Sequence, residues 1–128
     1  MAGGVVSAKL SEHDEQKIVV RWFDLSFPKL AGLLFAVPNG GARHVAVAAK
    51  LKAEGVRAGV SDLMLPVARH GFNGLFIEMK SLSGRATPEQ MRFMERVTEQ
   101  GYMAVLCKGA DAAMDTIKTY LSHPRGIA

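Results

Sequence analysis

The sequence predicts an α/β domain, a mixed central sheet with helices on both faces. Three observations carry this expectation. Residues 63–67 and 75–79 are apolar runs joined by the polar link Ala68-Arg69-His70-Gly71-Phe72-Asn73, the profile of two buried strands in a hairpin. Thr87-Pro88-Glu89-Gln90 starts a helix between that hairpin and a third apolar run at 102–107, and a helical crossover makes the strands on either side of it parallel. Apolar residues also recur at helical spacing near both ends of the chain. With 128 residues, one domain core can be built and not two.

Taken in order, Ser11 is an N-cap ahead of Glu12, Asp14 and Glu15, acids that suit a first helical turn. Ile18, Val19, Trp22, Phe23 and Leu25 give this first helix an apolar face, and Pro28 ends it. Residues 33–37 read as a short buried strand. Pro38-Asn39-Gly40-Gly41-Ala42-Arg43 follows as a turn with a basic tip, and residues 44–54 read as a second helix closed by Gly55. After the hairpin, Thr87 caps a helix with Pro88 at N1 and Gln90 in the capping-box position; Met91, Phe93, Met94 and Val97 face inwards and Gly101 ends it. The strand at 102–107 precedes a last helix on which Ala110, Ala113, Met114, Ile117 and Leu121 recur. The domain is expected over residues 11–122, with loose ends at 1–10 and 123–128.

The composition, 48% hydrophobic and 22% charged, is that of a soluble globular chain. Neither a membrane span nor a signal peptide is visible, so a cytoplasmic protein is expected. The lone Cys107 reads as a buried thiol, and no Cys/His cluster suggests zinc. A net charge of +4 tilts towards a polyanionic partner.

The chemistry concentrates at one end of the hairpin. With a turn centred near His70, antiparallel partners have residue numbers summing to about 140, which sets Asp62 across from Glu78. Alternation puts Glu78 and Lys80 on one face and Met79 on the other. An ordinary ion pair at a strand end is one reading of these charges. A site for Mg²⁺ or Mn²⁺ is the other, since carboxylate oxygens and phosphate oxygens are what such ions bind. Glu12 and Gln16 share a helix face that can approach the same end. Asn39, Gly40 and Gly41 with Arg43 form a loop able to meet a phosphate, or a plain turn. For Glu12 and Gln90, helix capping is the plain alternative.

An Asp at the start of one strand and Glu-x-Lys on the next resembles the PD-(D/E)xK nucleases. The fuller string is similar to their VRR-Nuc family: Glu12 with Gln16, Pro38-Asn39-Gly40-Gly41 then Arg43, Gly59-Val60-Ser61-Asp62, Glu78-Met79-Lys80, and Gln90 opening the next helix. The resemblance implies a restriction-endonuclease-like αββαβα core and a metal-dependent endonuclease for branched DNA, with four-way (Holliday) junction resolution by a homodimer as its form. Nucleases for flaps or nicks, and a non-catalytic DNA-binding protein on the same fold, stand beside it. Carried over, Asp62, Glu78, the Met79 carbonyl and Glu12 would hold Mg²⁺ or Mn²⁺. Lys80 would position the attacking water, with Gln16 and Gln90 supporting. Asn39, Gly40, Gly41 and Arg43 would meet the DNA backbone, joined by Lys50, Lys52, Arg57 and Arg85. The family usually has Pro before the metal-binding Asp; here Ser61 stands in that place.

Overall fold

The computed structural model describes residues 10–38 and 45–122. The expected loose ends, apart from Leu10, and the Asn39-Gly40-Gly41 turn with Arg43 lie outside the described residues.

Ser11 caps α1 (Glu12–Ser26) by accepting the Asp14 N–H at 3.0 Å, and Glu12, Asp14 and Glu15 fill its first turn. Phe27 closes the helix ahead of Pro28, which opens a single 3₁₀ turn. The hairpin pairs β2 (Leu63–Leu65) with β3 (Leu75–Lys80) in the expected register, Leu63 opposite Ile77 and Leu65 opposite Leu75. Its turn is tight: Arg69 and Phe72 exchange backbone hydrogen bonds, and His70 and Gly71 both have positive φ, 55° and 82°. That is the backbone of a two-residue turn whose twist matches the strands. The crossover helix α3 (Pro88–Glu99) then delivers β4 (Met103–Lys108) parallel to β3, and α4 (Ala110–Leu121) follows. With β1 (Phe35–Ala36) antiparallel to β2, the sheet order is β1-β2-β3-β4.

Strand alternation divides the layers. On one side of β3, Leu75, Ile77 and Met79 join a core with Val19 and Phe23 of α1 and Ala113, Ile117 and Tyr120 of α4. On the other side, Phe76 meets Phe93 of α3 edge-on at 5.2 Å and Tyr102 at 5.4 Å. Helices therefore cover both faces, as expected for a mixed α/β sheet. The buried Tyr120 hydroxyl donates to the Val67 carbonyl at 2.7 Å, so α4 is tied to the hairpin without an orphaned polar group.

Several expectations need correction. Residues 33–37 are not a buried strand: β1 has two residues, both exposed, and Leu34 alone of the five is buried. Its position explains this, because an edge strand has a neighbour on one side only. Within α1, Ile18 and Leu25 are 40% and 71% exposed rather than on the packed face. Val19 and Phe23 are four apart and make the buried stripe, and Leu25 lies about 200° round the helix from Phe23. Met91 is exposed too, whereas Phe93, Met94 and Val97 are half-buried as α3 lies over the sheet. The second helix, α2 (Val45–Ala53), has no buried residue. It does end as expected: Gly55 has φ of 106°, Val56 N–H donates to the Leu51 carbonyl and Gly55 N–H to that of Lys52, the paired bonds of a glycine-terminated helix.

Candidate active site

The carboxylates meet at the end of the hairpin away from its turn. Asp62 directly precedes β2, and its Oδ2 accepts the Met79 N–H at 2.7 Å. From the opposite side, Val37 N–H donates to the Asp62 carbonyl at 2.8 Å, so the residue is fixed by both neighbouring strands. Gly59, with φ of +87°, brings the chain into this position. A Cβ there would lie 2.5 Å from the Glu89 carbonyl, so only glycine lets this segment pass the first turn of α3. Ser61 is fully buried and its Oγ has no hydrogen-bond partner among the described residues.

Glu78 is 2% exposed. Its Oε2 accepts from Gln90 Nε2 at 3.1 Å and lies 4.0 Å from Lys80 Nζ, while Oε1 is buried with no hydrogen-bond partner among the described residues. Burial, and after it the Asp62 carboxyl, push the Glu78 pKa up to about 8; Lys80 pulls the other way and Glu12 adds to the rise. A carboxyl in this setting keeps its proton at neutral pH unless a cation arrives to replace it. Met79 points to the opposite face, into the core.

Gln90 fulfils both of its alternative readings. Its Oε1 accepts the Thr87 N–H at 2.8 Å, Thr87 Oγ1 accepts the Gln90 N–H, and the remaining Nε2 holds Glu78. The capping box thus aims the amide at the carboxylate. Glu12 does approach this end: its Oε2 accepts the Ser81 N–H at 3.1 Å, one residue past β3. Among the described residues no three His, Cys, Asp or Glu side chains form a metal-sized cluster, so Asp62 and Glu78 make a pair and Glu12 stands beside it. Gln16 is half-buried and lines a groove with Ala36; no hydrogen bond joins it to Asp62 or Glu78 among the described residues. Of the basic candidates, Lys50 and Lys52 are exposed on α2, Arg85 is exposed in the loop after β3, and Arg57 borders a groove against α3.

Two features escaped sequence reasoning. Glu15 Oε2 accepts the Ala110 N–H at 2.6 Å, tying α1 to the start of α4. Gly109, with φ of +93°, leaves room for it, since a Cβ there would stand 2.8 Å from that oxygen. In the sequence Glu15 reads only as a first-turn acid; the signal that could pair it with Ala110 is the glycine just ahead of a helix start. Arg92 and Arg96 line the groove that Arg57 borders, and in sequence they are ordinary charges on a helix exterior.

A mixed sheet covered on both faces, with an Asp and a Glu-x-Lys converging at one end of its central hairpin, is the arrangement of the restriction-endonuclease-like fold. The family model for the VRR-NUC domain matches residues 5–111, and the chain belongs to that family. A solved structure described as a VRR_NUC domain protein superposes with a TM-score of 0.82 and is 32% identical, covering 93% of this chain and 94% of that one. No curated protein sequence matches the chain. Family membership makes this a nuclease domain with DNA as its substrate. No helix among the described residues is long and apolar enough to cross a membrane.

Proposed function

We propose that the domain is a structure-selective endonuclease that hydrolyses phosphodiester bonds in branched DNA with Mg²⁺ or Mn²⁺, and that it resolves four-way junctions as a homodimer. The observation that carries the metal is Glu78. A buried carboxylate oxygen without a partner among the described residues, in a carboxyl whose pKa is pushed up to about 8 by burial first and by the Asp62 carboxyl second, fits a hard divalent cation better than a structural ion pair. At 4.0 Å, Lys80 does not neutralise Glu78 fully.

Asp62 and Glu78 would hold the ion, with the Met79 carbonyl as a further donor, while Glu12 stands beside them and holds the Ser81 N–H. When bound, such an ion lowers the pKa of a coordinated water and offsets charge on the phosphate. The chain supplies the rest. Asp62 is oriented by the Met79 N–H, which leaves its Oδ1 for another partner. Gln90 holds Glu78 Oε2 and so fixes the carboxylate plane. Lys80, its side chain 13% exposed, is reachable from solvent and can hold a water or the charge that grows on a phosphate oxygen. Glu12 braces the backbone just past Lys80. Paired cuts across a four-way junction need two such centres related by two-fold symmetry, which a homodimer supplies. The exposed Val45 and Val47 on α2 support a second copy as their cover.

The test is incubation of the purified protein with labelled four-way junctions, flaps, nicked and unbranched duplexes, with Mg²⁺, Mn²⁺ or EDTA. Paired nicks in the junction are expected, lost in EDTA and reduced at least about 10²-fold in Lys80→Ala. Undiminished cleavage by both Lys80→Ala and Asp62→Ala would refute the site. Light scattering that shows a monomer in the presence of junction DNA would refute resolution by a homodimer and leave flaps or nicks as the substrate.

A further inference from the structure

We infer that the groove between the segment entering β2 and helix α3 is a track for the backbone of a DNA strand leading away from the cleaved bond. This rests on the nuclease reading and carries its expected DNA contact at Arg57 across the groove to Arg92 and Arg96, which that reading does not name. The groove encloses about 600 Å³, and three guanidiniums, those of Arg57, Arg92 and Arg96, line it. All three residues are exposed, and among the described residues none is in an ion pair. Arg92 and Arg96 are one turn apart on the same side of α3, about 6 Å along its axis. Arg57 comes from the opposite wall, the segment that Gly59 presses against Glu89. Guanidiniums held apart in this way, with their forked donors unspent, suit successive phosphates better than one small anion.

The groove also contains carboxylates, Glu89 in the first turn of α3 and Glu99 at its last residue, about 15 Å apart along the axis. They border the arginine stretch at its two ends. Its floor is apolar and includes Val60 and Phe93, the latter braced by Phe76. An apolar floor with cationic walls fits sugar and base surface below and phosphates at the sides. Direction follows from what the groove adjoins. Val60 is two residues before Asp62, and Gln90, two residues before Arg92 and six before Arg96, holds Glu78. A strand whose reacting phosphate lies at the carboxylate pair therefore continues along α3 past Arg92 and then Arg96.

The test is fluorescence anisotropy with a fluorescein-labelled four-way junction in EDTA, so that no cleavage intervenes, over a range of salt concentrations. Three proteins are compared: wild type, the triple variant Arg57→Ala/Arg92→Ala/Arg96→Ala, and a triple variant of equal charge change on the α1/α4 side, Lys17→Ala/Lys29→Ala/Lys118→Ala. The arginine variant is expected to bind about tenfold or more weakly, with a salt slope reduced by about 2 to 3, and the lysine variant to stay near wild type. Melting temperatures close to wild type will confirm that the substituted surfaces still fold. If wild type binds and cuts junctions and the arginine variant does neither less well, this inference falls and the nuclease reading stands. If wild type neither binds nor cuts any DNA, both fall. Loss of binding to a poly-glutamate peptide, with DNA binding intact, would make the groove a seat for an acidic protein and overturn the assignment.

Discussion

Strand β3 and helix α2 have opposite fates for their compositions. In α2, seven of nine residues are apolar and none is buried. In β3, Leu-Phe-Ile-Glu-Met-Lys carries two charges, yet Leu75, Ile77, Glu78 and Met79 are all buried. The difference lies in what arrives. β3 has β2 on one side, β4 on the other, α3 on one face and α1 with α4 on the other, so even its glutamate is enclosed. α2 packs on no comparable set of elements. Hydrophobicity gives a segment the capacity to be buried, and the topology decides whether that capacity is used. Where the topology buries a charge, it creates a group with an unmet need, and Glu78 is that group.

Substitutions can break this contrast. Ile77→Ala removes methyl groups from the centre of the core and is expected to cost about 2–5 kcal/mol. Val47→Ala on α2 should change stability by less than about 0.5 kcal/mol. Urea unfolding of both variants in dilute protein checks the pair, and a Val47→Ala loss that grows with protein concentration would support α2 as the proposed subunit interface.

A second effect is expected in the pH dependence of the metal-free protein. Glu78 is protonated up to about pH 8 in the folded state, whereas a carboxyl of ordinary pKa 4.5 ionises far earlier in the unfolded chain. Between those values the folded state binds the extra proton, so its stability is fullest below about pH 4.5 and falls as pH rises through about 8. Thermal melts in EDTA should show wild type losing stability from pH 5 to pH 8, with a shallower loss in Glu78→Gln. At pH 8, added Mn²⁺ should raise the melting temperature of wild type more than that of the variant. Parallel pH curves for the two proteins would show that Glu78 does not carry the effect.

A modest gain is expected at Ser61. Its buried Oγ without a partner is a cost, and Ser61→Ala is expected to gain about 1 kcal/mol. A loss of stability in the same denaturation experiment would mean that the hydroxyl is satisfied in solution.

Features set by local chemistry were legible in the sequence. The hairpin register followed from a turn near His70, the start of α3 from Thr87, Pro88 and Gln90, and the parallel β4 from the crossover. Asp62, Glu78 and Lys80 were legible as a constellation because strand alternation alone puts them at one end. What failed depends on neighbours far along the chain. Phe35 looked buried because the run around it is apolar, yet it lies on an edge strand. Gln90 presented a choice between capping and the site, and a side chain with both a donor and an acceptor end does both. Nothing local to Glu15 announces Ala110, 95 positions away.

That long-range tie between α1 and α4 has a consequence for synthesis. α1 leaves the ribosome before the hairpin, but the amide that Glu15 binds is made only after β4 is complete. A nascent chain can therefore carry Asp62, Glu78 and Lys80 while α1, with the Glu12 that braces Ser81, has no final seat. The last of the ties that hold the first helix can therefore form only once the start of the C-terminal helix has been translated.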